Sequence, residues 1–227
     1  MSSSGHLALV PRLLGWDYCA LPGDERKTFE VALHAGSAPA LALALRGSLF
    51  RDPHLQALTV LPAAVVGLAF ERQIEERLGG VRSVAIAQIA GGLALLAADL
   101  MPERRGAATA LDHLAVGFGQ AAALIPGVSR SGAALTVARL RGLSRDASAG
   151  LALRAALPVT VGAGLLKGTR AVQNGVPGPL RVPVAVGALA SLGSALAALP
   201  LARGTRWRAV SLYRVALGAA ALRVPLA

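Results

Sequence analysis

The sequence predicts an all-α fold, a polytopic bundle of integral membrane helices with one apolar segment broken in its middle, and three observations carry that prediction. The first is composition. Of 227 residues, 54% are hydrophobic and only 15% charged, with a mean hydropathy of +0.57, outside the usual balance of a soluble domain. The second is placement: the charges cluster between long uncharged runs and form neither a stripe nor a tail. The third is a break within one apolar stretch, where Pro126, Gly127 and Gly132 interrupt the segment Leu114 to Leu143.

The clearest span is Val182 to Ala202, which lacks any charged residue and at ~1.5 Å per residue crosses a ~30 Å hydrocarbon core. Phe29 to Leu45, Leu55 to Phe70, Val84 to Leu100, Leu151 to Leu166 and Ala209 to Leu222 are shorter or carry a polar residue such as Glu30 or Arg154. They read as packed members of a bundle. Gly91, Gly92, Gly162, Gly164, Gly187 and Gly193 are expected to let helix backbones approach where lipid supplies no hydrophobic drive. The whole chain, 1–227, reads as a single membrane domain.

The net charge of +11 and pI near 11.5 suit nucleic acid, anionic headgroups or a phosphorylated substrate. Arg203 to Arg208 is a basic linker without a stacking series or a nucleic-acid motif, so interfacial arginines are the expectation and no nucleic-acid partner is expected. A soluble, basic, Ala/Leu-rich helical protein is the competing class, and uncharged runs this long argue against it. One cysteine, Cys19, excludes an internal disulfide framework and any multi-cysteine metal site. The opening residues show no secretory signal pattern, and counts of basic residues in alternate loops do not orient the chain. Membrane lipids are expected neighbours, and self-association into a homo-oligomer is left open.

The break holds Ser129, Arg130 and Ser131. Non-helical backbone at membrane depth is tolerated only where it is buried in protein or lines a wet cavity. A helix beginning after the break aims its free N–H groups and positive dipole end at these residues, and an arginine fork adds bidentate hydrogen bonds to phosphate. The site therefore suits an anion, and an arginine within the membrane is a functional expectation by default. The alternative is a structural hairpin whose serines cap it and whose Arg130 pairs with Asp112.

Ser2 to Val10 (SSSGHLALV) matches Ser129 to Val137 (SRSGAALTV) at one offset: Ser2 with Ser129, Ser4 with Ser131, Gly5 with Gly132, Val10 with Val137. A duplicated small-polar break is expected of a two-repeat fold with its site at the repeat interface. His6 then stands where Ala133 stands in the other copy, so one copy brings an imidazole for proton transfer and the other a guanidinium. Without the repeat, a histidine near a chain end is incidental. His34, His54 and His113 are read as structural.

Pro126-Gly127-Val128-Ser129-Arg130-Ser131-Gly132 resembles one signature of the undecaprenyl-diphosphatase (bacitracin-resistance) family, and Ser2-Ser3-Ser4-Gly5-His6-Leu7 resembles its other signature. Similarity continues through Thr28 to Gly36, Gly142 to Ala149 and Tyr213 to Gly218. The resemblance implies an integral phosphatase of the bacterial cell membrane, with two re-entrant helical hairpins related by an inverted repeat, an incomplete first near 1–15 and a second near 111–143. It would remove the terminal phosphate of undecaprenyl diphosphate, recycling the cell-wall lipid carrier and conferring bacitracin resistance. By position, Arg130 would hold the diphosphate, Ser3 would be nucleophile or phosphate ligand, and His6 the acid/base partner, with attack by serine or by activated water left open. Ser2, Ser4, Gly5, Gly127, Ser129, Ser131 and Gly132 would line the substrate.

Two departures stand out. Ala134 occupies the position of a family threonine, with Thr136 two residues on. The family also places an E-x-x-x-E pair just before the serine cluster, and these carboxylates would bind a divalent cation, Mg²⁺ or Ca²⁺. The expectation is that the sequence starts late, Met1 standing at an internal valine encoded by GTG. The alternative is a truncated relative without hydrolysis, or a lipid-phosphate carrier or flippase using the same pocket.

Overall fold

The computed structural model describes residues 2–45, 52–174, 177–202 and 206–224. These are 83% helical, without a strand, and the all-α prediction holds. Nine α-helices occur among the described residues: α1 Ser3–Leu13, α2 Gly23–Leu45, α3 Pro53–Leu78, α4 Val81–Asp99, α5 Ala110–Ala122, α6 Arg130–Leu140, α7 Arg145–Asn174, α8 Arg181–Ala202 and α9 Trp207–Arg223. The chain divides into two compact units. The first comprises Met1–Trp16, Asp52–Ala156 and Thr205–Ala227, and the second Asp17–Arg51 and Leu157–Gly204.

In the first unit α4 packs on α9, α3 on α5, and α5 and α4 on α6. The α4–α9 contact is a close approach of backbones. A Cβ on Gly92 would fall 2.9 Å from the Ser211 carbonyl oxygen, and one on Gly218 would fall 2.6 Å from that of Ala85. A Cβ on Gly91 would lie 2.5 Å from Arg214 Nη2, so this glycine makes room for a guanidinium. In the second unit α2 lies on α8. There the Ser191 hydroxyl donates to the Leu33 carbonyl at 2.6 Å, and Phe29 covers Gly187. The expected role in close packing thus holds for Gly91, Gly92 and Gly187. It fails for Gly162 and Gly193, where nothing described lies within 4 Å of an added Cβ, because those positions face outward. The side chain of residue 164 falls outside the described residues.

Among the described residues three helices are long and apolar enough to cross a membrane, α3, α4 and the segment Gly178–Ala197. Their outward faces are apolar. Leu61, Val65 and Leu68 on α3, and Val182, Val186 and Leu189 on α8, are all exposed at the spacing of one helix face. Water would penalise such stripes and lipid does not. The protein is a membrane protein.

One end of the first unit is fixed by arginine–carboxylate pairs. Asp112, in the first turn of α5, is wholly buried and takes Arg105 at 2.8 Å and Arg141 at 2.9 Å. It also closes a capping box with Thr109. Asp99 receives Arg145 through two hydrogen bonds of 2.8 Å. Buried Arg139 donates to the Leu143 and Met101 carbonyls. Asp112, which the sequence offered as a partner for Arg130, is thereby engaged by two other arginines.

Burial alone would raise the Asp112 carboxyl. The hydrogen bonds from Arg105, Thr109 and Arg141 override it and hold the group well below the usual carboxylate range. A depressed carboxylate stabilises the fold fully above its unfolded value, near 3.8, and loses that contribution as pH falls toward its folded value. Asp112→Asn is therefore expected to lower stability by about 3 kcal/mol at neutral pH and to flatten the loss of stability below about pH 4. Thermal unfolding in detergent across pH checks both effects.

Candidate active site at two capped helix starts

The starts of α1 and α6 are built alike because the sequence repeats there. Ser2 caps α1 in extended backbone, and its hydroxyl accepts from Gly5 N–H at 3.2 Å. Ser129 caps α6, and its hydroxyl accepts from Gly132 N–H at 3.1 Å. In each copy the cap oxygen lies 3.2 Å from the hydroxyl of the serine two residues on, Ser4 and Ser131 respectively. The repeat read from the sequence, offset by 127 from Ser2 to Ser129, is thus a repeat of hydrogen bonds. It extends to the helices, since α1 and α6 each run 11 residues from Ser3 and Arg130. At the same offset Gly91 of α4 corresponds to Gly218 of α9.

The break before α6 is real. Helix α5 ends at Ala122, and a loop carries the chain to the Ser129 cap. Gly127 within it has φ +96, a conformation that glycine adopts without strain. A Cβ at that position would fall 2.4 Å from the Val84 carbonyl oxygen. Both polar groups of Gly127 are engaged. Its N–H donates to Ser4 Oγ of α1 at 3.3 Å, and its carbonyl accepts from Arg214 Nη2 of α9 at 3.2 Å. The Arg214 Nε donates to Gln88 Oε1 of α4 at 3.0 Å. Gln88 in turn packs where a Cβ on Gly5 would be, and Arg214 Nη1 packs where one on Gly132 would be. One buried glutamine–arginine pair therefore braces both helix starts.

Among the expected site residues, the structure brings Ser2, Ser4 and Gly5 together with Gly127, and Gly127 through Arg214 with Gly132. Ser2 and Ser129 are buried and serve as caps. Ser3 and Ser4 are exposed, and Arg130 and Ser131 are half-buried at the first turn of α6. Four backbone N–H groups at each helix start have no intrahelical acceptor, and only those of Gly5 and Gly132 are taken by the cap serines. Exposed hydroxyls and a guanidinium thus stand where two helix dipoles favour negative charge.

His6 bridges two helices. Its Nδ1 lies 2.6 Å from the Ser2 carbonyl oxygen and its Nε2 lies 2.9 Å from the Tyr213 hydroxyl. A carbonyl only accepts, so Nδ1 carries the proton and Nε2 is the basic nitrogen of the neutral ring. The rings of His6 and Tyr213 stack at 5.5 Å and 20°.

The threonine departure has a structural outcome. Ala134 lies in the apolar core with Val116, Ala138, Leu143 and Leu151, and the Thr136 hydroxyl donates to the Gly132 carbonyl at 2.8 Å. Neither side chain supplies a hydroxyl to the helix start. As for the expected divalent cation, no three His, Cys, Asp or Glu side chains gather among the described residues. The donors around the break are hydroxyls, an amide, carbonyls and guanidinium groups. Mg²⁺ and Ca²⁺ favour carboxylate oxygen, and the donors described around the break do not fit a resident divalent cation.

Sequence reasoning missed Gln88, Tyr213 and Arg214 as site residues. A signal existed: Arg214 is the one charge between Ala209 and Leu222, and Gln88 is a lone amide between Val84 and Ala98. Polar groups in apolar spans mark function or bracing.

Comparison with known proteins shows the family. The chain is 36% identical to an undecaprenyl-diphosphatase of Chromohalobacter salexigens, over 77% of this chain and 72% of that protein. It is 35% identical to one of Geobacter sulfurreducens, over 82% and 76%. It is also 36% identical to one of Trichlorobacter lovleyi, over 96% and 88%. The model of the family described as bacitracin resistance protein BacA matches residues 1–220, a range that holds both capped helix starts and the Gln88 and Arg214 that brace them. The chain belongs to the bacitracin resistance protein BacA family.

Proposed function

We propose that this protein is an integral membrane phosphatase of the bacterial cell membrane that hydrolyses undecaprenyl diphosphate to undecaprenyl phosphate and inorganic phosphate. That reaction would recycle the cell-wall lipid carrier and confer bacitracin resistance. The observation that carries the reading is the juxtaposition of two capped helix starts, joined by the hydrogen bond between Gly127 N–H and Ser4 Oγ, with Arg130 at the first position of α6. The relatives' shared name supports the substrate.

The chemistry follows from the groups present. The diphosphate is an anion whose terminal phosphoryl group develops charge on its oxygens as the phosphoanhydride bond breaks. Helix N–H groups and the Arg130 fork stabilise that charge without reorganising, which is where most catalytic benefit arises. The attacking oxygen, from Ser3 or water, bonds to phosphorus as the phosphoanhydride bond breaks and undecaprenyl phosphate leaves; on the Ser3 route water then cleaves the phosphoserine, releasing phosphate and restoring the hydroxyl. The attacking proton goes to a base, and on this imidazole the basic nitrogen is Nε2; its lone pair accepts the Tyr213 hydroxyl, so the proton arrives through that hydroxyl, which passes its own proton to Nε2 as it takes one.

The test is phosphate release from undecaprenyl diphosphate by the purified protein in detergent. Stoichiometric release supports the reading. Movement of the lipid across liposomes without release overturns it in favour of a carrier.

A further inference from the structure

We propose that Tyr213 is a positioning residue for His6: it holds the imidazole between α1 and α9 with Nε2 aimed in one direction. The inference rests on the phosphatase reading, for which His6 is the acid/base group.

Three observations carry it. First, both ring nitrogens are tethered. Nδ1 donates to the Ser2 carbonyl, one turn back on the same helix, and that carbonyl also accepts the His6 backbone N–H at 3.1 Å. This tether is local and survives any movement of α1. The Tyr213 hydroxyl, 207 residues away in the chain, is the tether that ties the ring to α9. Second, the hydroxyl suits both protonation states. It donates to Nε2 when the ring is neutral and, by rotating, accepts from Nε2–H when the ring is charged. Ring position is therefore kept through proton transfer. Third, the repeat supplies an internal comparison. At the offset of 127 that relates the two helix starts, His6 corresponds to Ala133 and Tyr213 to Ile86. One copy carries both members of the polar pair and the other carries neither. A tyrosine needed only for helix packing would have no reason to follow the histidine, since alanine and isoleucine serve at the equivalent places.

Tyr213→Phe keeps the ring and its stacking and removes the tether. It is expected to lower kcat by ~10–100-fold with KM within about twofold, the pattern of a displaced acid/base group. In a His6→Ala background the same substitution should have no further effect, because groups acting as a unit are not additive. Equal losses in both backgrounds would overturn the proposal and make Tyr213 a structural residue. A second measurement stands apart from turnover. The ¹⁵N signals of His6 in labelled protein, assigned by their loss in His6→Ala, should shift at Nε2 in Tyr213→Phe. Unchanged signals overturn the proposal whether or not the protein hydrolyses undecaprenyl diphosphate. Absence of phosphate release from the unaltered protein, with the Nε2 shift observed, removes the phosphatase reading and leaves the tether standing.

Discussion

Arg130→Lys is expected to lower kcat/KM for undecaprenyl diphosphate by ~10²–10³, the usual loss of one optimally aimed donor, while membrane insertion and thermal stability stay close to those of the unaltered protein. The charge is kept, so the loss reports geometry. A guanidinium presents two parallel N–H groups that match two phosphate oxygens, whereas an ammonium is a compact point charge on a flexible stem. Arg130 is the first residue of α6, where the helix N–H groups would face the same diphosphate. A misaligned cation there competes with those groups for the same oxygens. Steady-state phosphate release across substrate concentration checks the expectation. Near-normal turnover in Arg130→Lys would make the residue a general source of positive potential, and the bidentate role would be wrong.

Gly127→Ala is expected to be nearly as damaging, by a different route. The residue sits at φ +96, and an added Cβ would fall 2.4 Å from the Val84 carbonyl oxygen and 3.0 Å from Ala87 Cβ. The first obstacle is helix backbone in α4 and cannot rotate away, so the loop must move. Moving it disturbs both hydrogen bonds of Gly127, to Ser4 on α1 and from Arg214 on α9. A displacement of ~1 Å at such a site commonly costs about a hundredfold in rate, and overpacking with a strained φ costs about 2–4 kcal/mol in stability. Gly80→Ala is the control: it precedes α4 at φ −65 with nothing within 4 Å of an added Cβ. Thermal unfolding and phosphate release measured together should show Gly127→Ala impaired in both and Gly80→Ala in neither.

The sequence by itself determined whatever depends on neighbours within one or two helical turns. The spans follow from uninterrupted apolar runs, since a backbone in lipid must satisfy itself and can do so only as helix. The break before α6 follows from Pro126 and Gly127, and the two caps follow from Ser2 and Ser129 standing three residues before Gly5 and Gly132. The repeat was legible for the same reason: a duplicated local pattern produces a duplicated local hydrogen bond.

Tertiary structure alone decided what those local pieces meet. Asp112 could have been offered to Arg130, and it is engaged by Arg105 and Arg141 because the turn after α6 brings Arg141 beside α5. Gln88, Tyr213 and Arg214 lie in helices that read as plain apolar spans. They reach the site because Gly92 and Gly218 let α4 and α9 touch along their backbones, setting Arg214 against Gly127 across 87 residues and Tyr213 against His6 across 207. Such contacts are fixed by the shape of two packed surfaces, a property of helix pairs that no single stretch of sequence carries.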